Sequence, residues 1–89
     1  MLKLEITSRY DRNLRALIKE NSLQKGKVHK ALKFFLHNPK HPSLNLEKLR
    51  GSNVWTIRVD RAQRIFFSWI DSKTALLLDI GKHDKYQQY

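Results

Sequence analysis

The stretch that decides the fold runs from residue 53 to residue 81 and reads NVWTIRVDRAQRIFFSWIDSKTALLLDIG. Apolar and polar residues alternate from residue 55 to 59 and again from 64 to 70, a period of two that is typical of strands with one buried face. A mainly polar segment, 60–63, separates these two runs, and a turn at Asp71-Ser72 separates them from an apolar third run, 74–81. The pattern therefore predicts a β-hairpin followed by a further, more buried strand.

Residues 1–6 also alternate, and this predicts a short first strand that buries Leu2, Leu4 and Ile6 on one face. Apolar residues then recur at helical spacing, with basic residues on the opposite side. Asp11 is a residue type that caps helices, so a first amphipathic helix is expected to start there.

A second helix is expected to begin near Lys27, because Gly26 interrupts the pattern, and to stop at Asn38-Pro39. Residues 23–26 then form the link of a helical hairpin. The segment that follows, up to the turn at Gly51, has irregular leucine spacing and is interpreted as extended without a required partner strand.

These elements give the order β-α-α-β-β-β. The fold class predicted is α+β, with an N-terminal helical hairpin packed on a mainly antiparallel four-stranded sheet. Eighty-nine residues suffice for one core and not for two, so residues 1–89 are interpreted as one domain.

The chain is strongly basic, with 18 Lys and Arg against 8 Asp and Glu and a formal net charge of +10. Residues 1–50 hold twelve of these bases and four of the acids, so most of the excess lies in the first half. Such a surplus repels itself in a small domain and favours a polyanionic partner, nucleic acid above all. A basic surface that only maintains solubility is the simpler alternative.

Several other classes are disfavoured. The chain has no cysteine, which leaves no disulfides and no thiolate metal site and favours the cytoplasm. Residues 1–10 lack the apolar run of a signal peptide, and no run is long enough to span a bilayer, so no membrane partner is expected. The four histidines do not have zinc-like spacing, and neither a metal nor another cofactor is predicted.

Arg58 and Arg64 share one face of the predicted hairpin, either directly opposite each other or shifted by two residues. Like charges across a strand pair are destabilising, so the arrangement favours an anion such as phosphate bound over both. The alternative is that both arginines form ordinary ion pairs with Asp60 or Asp79. After the last strand, residues 82–86 add a histidine, His83, beside two lysines and a tyrosine.

Taken in order along the chain, five short motifs resemble those of the RelE/ParE toxin superfamily, in particular its RelE-like and YafQ-like branch. They are His41-Pro42-Ser43-Leu44, Leu49-Arg50-Gly51, Trp55-Thr56-Ile57-Arg58-Val59, Arg64-Ile65-Phe66-Phe67 and Leu78-Asp79-Ile80-Gly81-Lys82-His83-Asp84-Lys85-Tyr86. The resemblance covers nearly the whole chain.

The resemblance implies the toxin of a type II toxin–antitoxin system, an endoribonuclease that cuts mRNA in the ribosome, inhibits translation and is held inactive by a cognate antitoxin in a hetero-oligomer. Two alternatives stay open: a ParE-like toxin that poisons DNA gyrase without nuclease chemistry, and a non-toxic relative that binds RNA or protein.

By position in the family pattern, Arg58, Arg64 and His83 correspond to the core catalytic residues. A C-terminal aromatic residue belongs to the pattern as well, and both Tyr86 and Tyr89 are candidates. Basic side chains around this site are expected to hold RNA: Lys82 and Lys85 the substrate backbone, Lys30 and Lys33 the ribosomal RNA.

Overall fold

The computed structural model describes residues 2–82 and residue 85. Its elements in chain order are β1 (Lys3–Ile6), α1 (Ser8–Glu20), α2 (Leu23–His37), a 3₁₀ turn (Pro42–Leu44), β2 (Glu47–Lys48), β3 (Trp55–Arg58), β4 (Gln63–Trp69) and β5 (Thr74–Lys82). The strands form one sheet in the order β1-β5-β4-β3-β2. Strand β1 runs parallel to β5, and every other pairing is antiparallel.

The α+β class, the helical hairpin and the mainly antiparallel sheet are confirmed, but the sheet has five strands where four were predicted. The additional strand is β2, which pairs with β3 through Glu47 opposite Thr56 and Lys48 opposite Trp55. Two residues carry too little periodicity to reveal a strand. What creates β2 is the free edge of β3, which offers unpaired backbone groups to any extended segment beside it.

Both helices begin earlier than predicted. Helix α1 starts at Ser8 because Thr7 is its cap: the Thr7 Oγ1 accepts a hydrogen bond from the Tyr10 backbone N–H at 3.1 Å. Asp11 instead lies in the first turn, where a carboxylate favours the helix dipole.

Helix α2 starts at Leu23 and continues through Gly26, so the link between the helices is only residues 21–22. A glycine costs a helix interior about 1 kcal/mol relative to alanine. Burial of Gln24 and Val28 on either side of Gly26 offsets this cost by tertiary packing.

The helices cover one face of the sheet, where Ile57, Ile65 and Phe67 are fully buried. Phe35 of α2 packs edge-on against Phe67, with ring centroids 5.0 Å apart. Tyr10 joins this core at 2% exposure, and burial raises the pKa of its phenol to about 12. Ile6, by contrast, is 56% exposed, so its predicted burial is wrong: β1 is an edge strand, and the helices cover only its start.

No helix within the described part of the chain is both long enough and apolar enough to cross a membrane.

Candidate active site

The β3–β4 hairpin places two arginines directly opposite each other. Its register pairs Trp55 with Phe67, Ile57 with Ile65 and Arg58 with Arg64. This is the first of the two registers that the sequence allowed. Paired residues in antiparallel strands project to the same side of a sheet, so both arginines leave the face opposite to buried Ile57 and Ile65.

Arg64 is held in place by the backbone of the hairpin turn. Its Nη1 donates hydrogen bonds to the carbonyl oxygens of Asp60, at 2.8 Å, and of Gln63, at 3.2 Å, and the residue is only 8% exposed. A guanidinium group has five N–H donors in a fixed fork. Within the described part of the chain, the Arg64 donors on Nη2 and Nε have no partner, so the bound edge fixes the group while another edge can receive an anion.

The structure does not contain the alternative arrangement, in which Arg58 and Arg64 form ordinary ion pairs with Asp60 or Asp79. Among residues 2–82 and 85, no salt bridge joins Arg58 or Arg64 to either candidate carboxylate. The Asp60 carboxylate instead accepts hydrogen bonds from the side chains of Gln24 and Lys27 of α2. The two arginines therefore keep their positive charge unneutralised by those carboxylates.

Asp60 closes the turn that carries Arg64. Its Oδ1 accepts hydrogen bonds from the backbone N–H groups of Ala62 and Gln63, each at 2.8 Å. Its Oδ2 accepts hydrogen bonds from the Gln24 Nε2, at 2.9 Å, and the Lys27 Nζ, at 3.3 Å. Burial acts to raise the pKa of Asp60, but these hydrogen bonds together outweigh it and lower the pKa from 3.8 to about 2.

Acid should therefore weaken the fold through Asp60. Because the pKa of Asp60 is lower in the folded than in the unfolded chain, its stabilising contribution is complete above about pH 4 and is lost as the pH falls towards 2. With allowance for solvent screening we expect about 1 kcal/mol. Asp60→Asn should be less stable than the wild type at pH 7, and urea unfolding from pH 6 to pH 2 should show this difference shrinking below pH 4. A difference that stays constant over that range would contradict the assignment.

The lysines predicted to bind RNA lie in different surroundings. Lys82 is exposed at the end of β5, where it pairs with Gln63. Lys85 instead turns inward: its Nζ lies 3.2 Å from the Asp79 Oδ1, and its side chain is 26% exposed. Lys30 Nζ lies 5.7 Å from the ring centroid of Phe34. Lys33 is on the other flank of α2, beside an apolar groove that includes Leu4, Leu32 and Leu36.

Three predicted site residues, His83, Tyr86 and Tyr89, lie outside the described residues. Gly81 pairs with Arg64, so β5 ends beside this arginine, and His83 follows Lys82 in the sequence. Among the described residues no group of three His, Asp or Glu side chains is arranged to hold a metal ion.

Sequence reasoning missed two features near the arginines. One is the turn-closing role of Asp60, and the other is a stack of the Phe34 ring on the His41 ring, with centroids 4.3 Å apart and an interplanar angle of 4°. The sequence singles out His41 only as the first residue of the motif His41-Pro42-Ser43-Leu44. Its place directly before Pro42-Ser43 was the available signal, because a side chain in that position can accept from the Ser43 N–H.

Solved structures of other proteins share this fold. The YoeB/ParE toxin from Agrobacterium tumefaciens superposes with a TM-score of 0.77 at 14% identity, over 92% of this chain and 99% of that one. YafQ from E. coli strain BL21(DE3) gives a TM-score of 0.76 at 11% identity, over 94% and 96%. This chain has the RelE/ParE toxin fold.

A third structure with this fold contains a partner. The heterotetrameric YoeB-YefM toxin-antitoxin complex from Staphylococcus aureus matches with a TM-score of 0.74 at 14% identity, over 93% of this chain and 98% of that one. No protein-family model and no curated protein sequence matches this chain. The RelE/ParE likeness that the motifs indicated is thus confirmed at the level of the fold.

Proposed function

We propose that the protein is the toxin of a type II toxin–antitoxin system and that it inhibits translation by cutting mRNA as a metal-independent endoribonuclease. The observation that carries this proposal is the opposed pair Arg58 and Arg64, held at one end of a hairpin in a chain of net charge +10. A pair of like charges at this position is stabilised when a phosphate lies over it.

Cleavage of RNA requires three things of the site. The 2′-hydroxyl must lose its proton, its oxygen then attacks phosphorus, and the bond from phosphorus to the 5′-oxygen breaks as that oxygen gains a proton. The pentavalent phosphorus intermediate carries extra negative charge. Arg58 and Arg64 bind the phosphate, and their charge-assisted hydrogen bonds strengthen as that negative charge develops.

The proton transfers are assigned to His83, because histidine has an ordinary pKa of about 6.5 and exchanges protons near neutral pH. Tyr86 or Tyr89 stacks on a base or assists one proton transfer. Lys82 is exposed at the end of β5, next in the chain to Gly81, which pairs with Arg64; it guides the RNA backbone, and Lys33 on α2 contacts ribosomal RNA. Lys85 is engaged with Asp79, so its contribution is first to the fold.

The partners follow from this activity. A nuclease that attacks cellular mRNA in the cytoplasm must be restrained, and the same fold is bound by an antitoxin in the Staphylococcus aureus complex. We therefore propose a cognate antitoxin that forms a hetero-oligomer with this chain.

Expression of the protein without an antitoxin tests the proposal. Growth should arrest, and primer extension on cellular mRNA should reveal new cuts aligned with codons. His83→Ala should relieve the arrest, whereas His37→Ala, which removes an exposed imidazole at the end of α2, should arrest growth like the wild type. A DNA-damage response without mRNA cuts would instead assign gyrase poisoning, and undiminished toxicity of both His83→Ala and Arg64→Ala would refute the site.

A further inference from the structure

A stacked pair of rings stands at the corner between α2 and the 3₁₀ turn. Phe34 lies on α2, and the His41 ring is nearly parallel to it at 4.3 Å. The His41 Nδ1 accepts the Ser43 backbone N–H at 3.1 Å and lies 2.7 Å from the Ser43 Oγ. The stack on Phe34 and the contacts to Ser43 therefore fix the orientation of the imidazole. Both rings are partly exposed.

Cationic side chains surround this pair. A cleft of about 250 Å³ between α2, the 3₁₀ turn and the end of β3 is lined by three of them, Lys27, Lys30 and Arg58, together with Phe34 and Ser43. The Lys30 ammonium lies 5.7 Å from the centre of the Phe34 ring, at the distance of a cation–π contact. We call this surface, with the His41 ring that adjoins it, the His41 cleft.

The cleft keeps a net positive charge. Asp60 also lines it and forms a salt bridge with Lys27 at 3.3 Å. Among the described residues no carboxylate pairs with Lys30 or Arg58. Among the described aromatic rings only Phe34 stacks on His41, and His41 is partly exposed, so a flat group has room to lie against it.

Flat rings beside unpaired cations are the combination that binds single-stranded nucleic acid, because bases stack on the rings while phosphates meet the cations. A free phosphate would use the cations and gain nothing from the rings. Arg58, at the end of β3, lines the cleft and also pairs with Arg64 across the hairpin, so this residue connects the cleft to the proposed site of cleavage.

We propose that the His41 cleft binds a nucleotide of single-stranded RNA adjoining the scissile phosphate, with its base stacked on His41 and its phosphate on Lys30. The proposal rests on the proposed function for its choice of RNA. It adds a substrate subsite on the helix side of Arg58, and it assigns Lys30 to the substrate and not to ribosomal RNA.

Binding of a non-cleavable oligomer tests the subsite. The probes are a 2′-O-methyl hexaadenylate, which has no 2′-hydroxyl to attack phosphorus, and an abasic 2′-O-methyl oligomer of equal length. The wild type should bind the hexaadenylate about tenfold more tightly, since one stacked base contributes about 1–3 kcal/mol. His41→Ala should lower this preference towards one, whereas Lys30→Ala should weaken binding of both oligomers by similar factors.

Two further variants separate stacking from structure. His41→Phe keeps a flat ring but loses the contacts to Ser43, so it should retain the preference for the hexaadenylate. His37→Ala removes an exposed histidine from the end of the same helix and should bind both oligomers like the wild type. Full base preference in His41→Ala, or no preference in the wild type, would overturn the proposal.

Cleavage of unmodified mRNA in the presence of ribosomes, measured beside the binding, separates this inference from the function on which it rests. If the wild type cuts RNA and His41→Ala retains the base preference, only the subsite is wrong. If the wild type does not cut RNA but its base preference disappears in His41→Ala, the subsite stands and the nuclease proposal fails.

Discussion

Replacement of Arg58 by alanine is expected to lower the rate of RNA cleavage by about 100- to 1000-fold, the usual cost of removing one group that stabilises transition-state charge. Arg58 ends β3 opposite Arg64 and forms no salt bridge within the described residues, so its loss should leave the fold intact. The measurement is the initial rate of mRNA cleavage by purified protein in the presence of ribosomes, with urea unfolding alongside.

Arg12→Ala is the matched control, since it removes an equal charge from the exposed side of α1. Its cleavage rate should remain within about threefold of the wild type, as expected for an exposed charge distant from the reaction. An Arg58→Ala rate in that same narrow range would exclude Arg58 from the reaction.

Combining the two arginine substitutions tests whether Arg58 and Arg64 bind the same phosphate. If Arg58 and Arg64 bind one phosphate, the double alanine variant should lose less than the product of the two single losses, because either loss already disables the shared contact. Arg64→Ala should also lower stability, since Arg64 bonds the backbone oxygens of Asp60 and Gln63. Fully multiplicative losses would mean that the two arginines act separately.

The largest loss of stability is expected from Asp79→Ala. The Asp79 carboxylate is fully buried and accepts from the Asn13 Nδ2 at 2.6 Å and the Ile80 backbone N–H at 2.8 Å. It also lies 3.3 Å from the Arg9 Nε and 3.2 Å from the Lys85 Nζ. Removing one partner of such a network leaves buried polar groups without compensation and costs about 3–5 kcal/mol.

That cost is a large part of the roughly 4–13 kcal/mol that a domain of this size has in total. Urea unfolding followed by circular dichroism should show the variant partly or wholly unfolded at 37 °C. The matched substitution is Asp11→Ala, which breaks a helix-surface pair with Arg15 and should cost under 1 kcal/mol. Equal losses in the two variants would show that the Asp79 network contributes no more than a surface ion pair.

How far the sequence predicts this protein can be judged from the hairpin. Alternation over residues 55–70 is enough to predict β3 and β4 and to place Arg58 and Arg64 on one face. The exact register stayed open between two choices, because alternation repeats every second residue and fits both. Packing of Ile57 on Ile65 and Trp55 on Phe67 selected the directly opposed one.

The starts of the helices, unlike the strands of the hairpin, could not be predicted from the local sequence. The start of α2 was misplaced at Gly26 because helix propensity is a local and weak preference, whereas burial of Gln24 and Val28 depends on the sheet. The pairing of β2 likewise depends on an edge that only the assembled sheet provides.

The sequence by itself determined the class of fold, the basic character of the chain and the placement of the two hairpin arginines on one face. Alternation and charge are local properties that can be recognised from neighbouring residues. Only the tertiary structure decided that Asp79 is buried against α1, that Gln24 and Lys27 of α2 bond to Asp60, and that Phe34 and His41 stack. These contacts join residues that are separated along the chain. Their formation depends on how helices and sheet pack, for which a single sequence carries no local pattern.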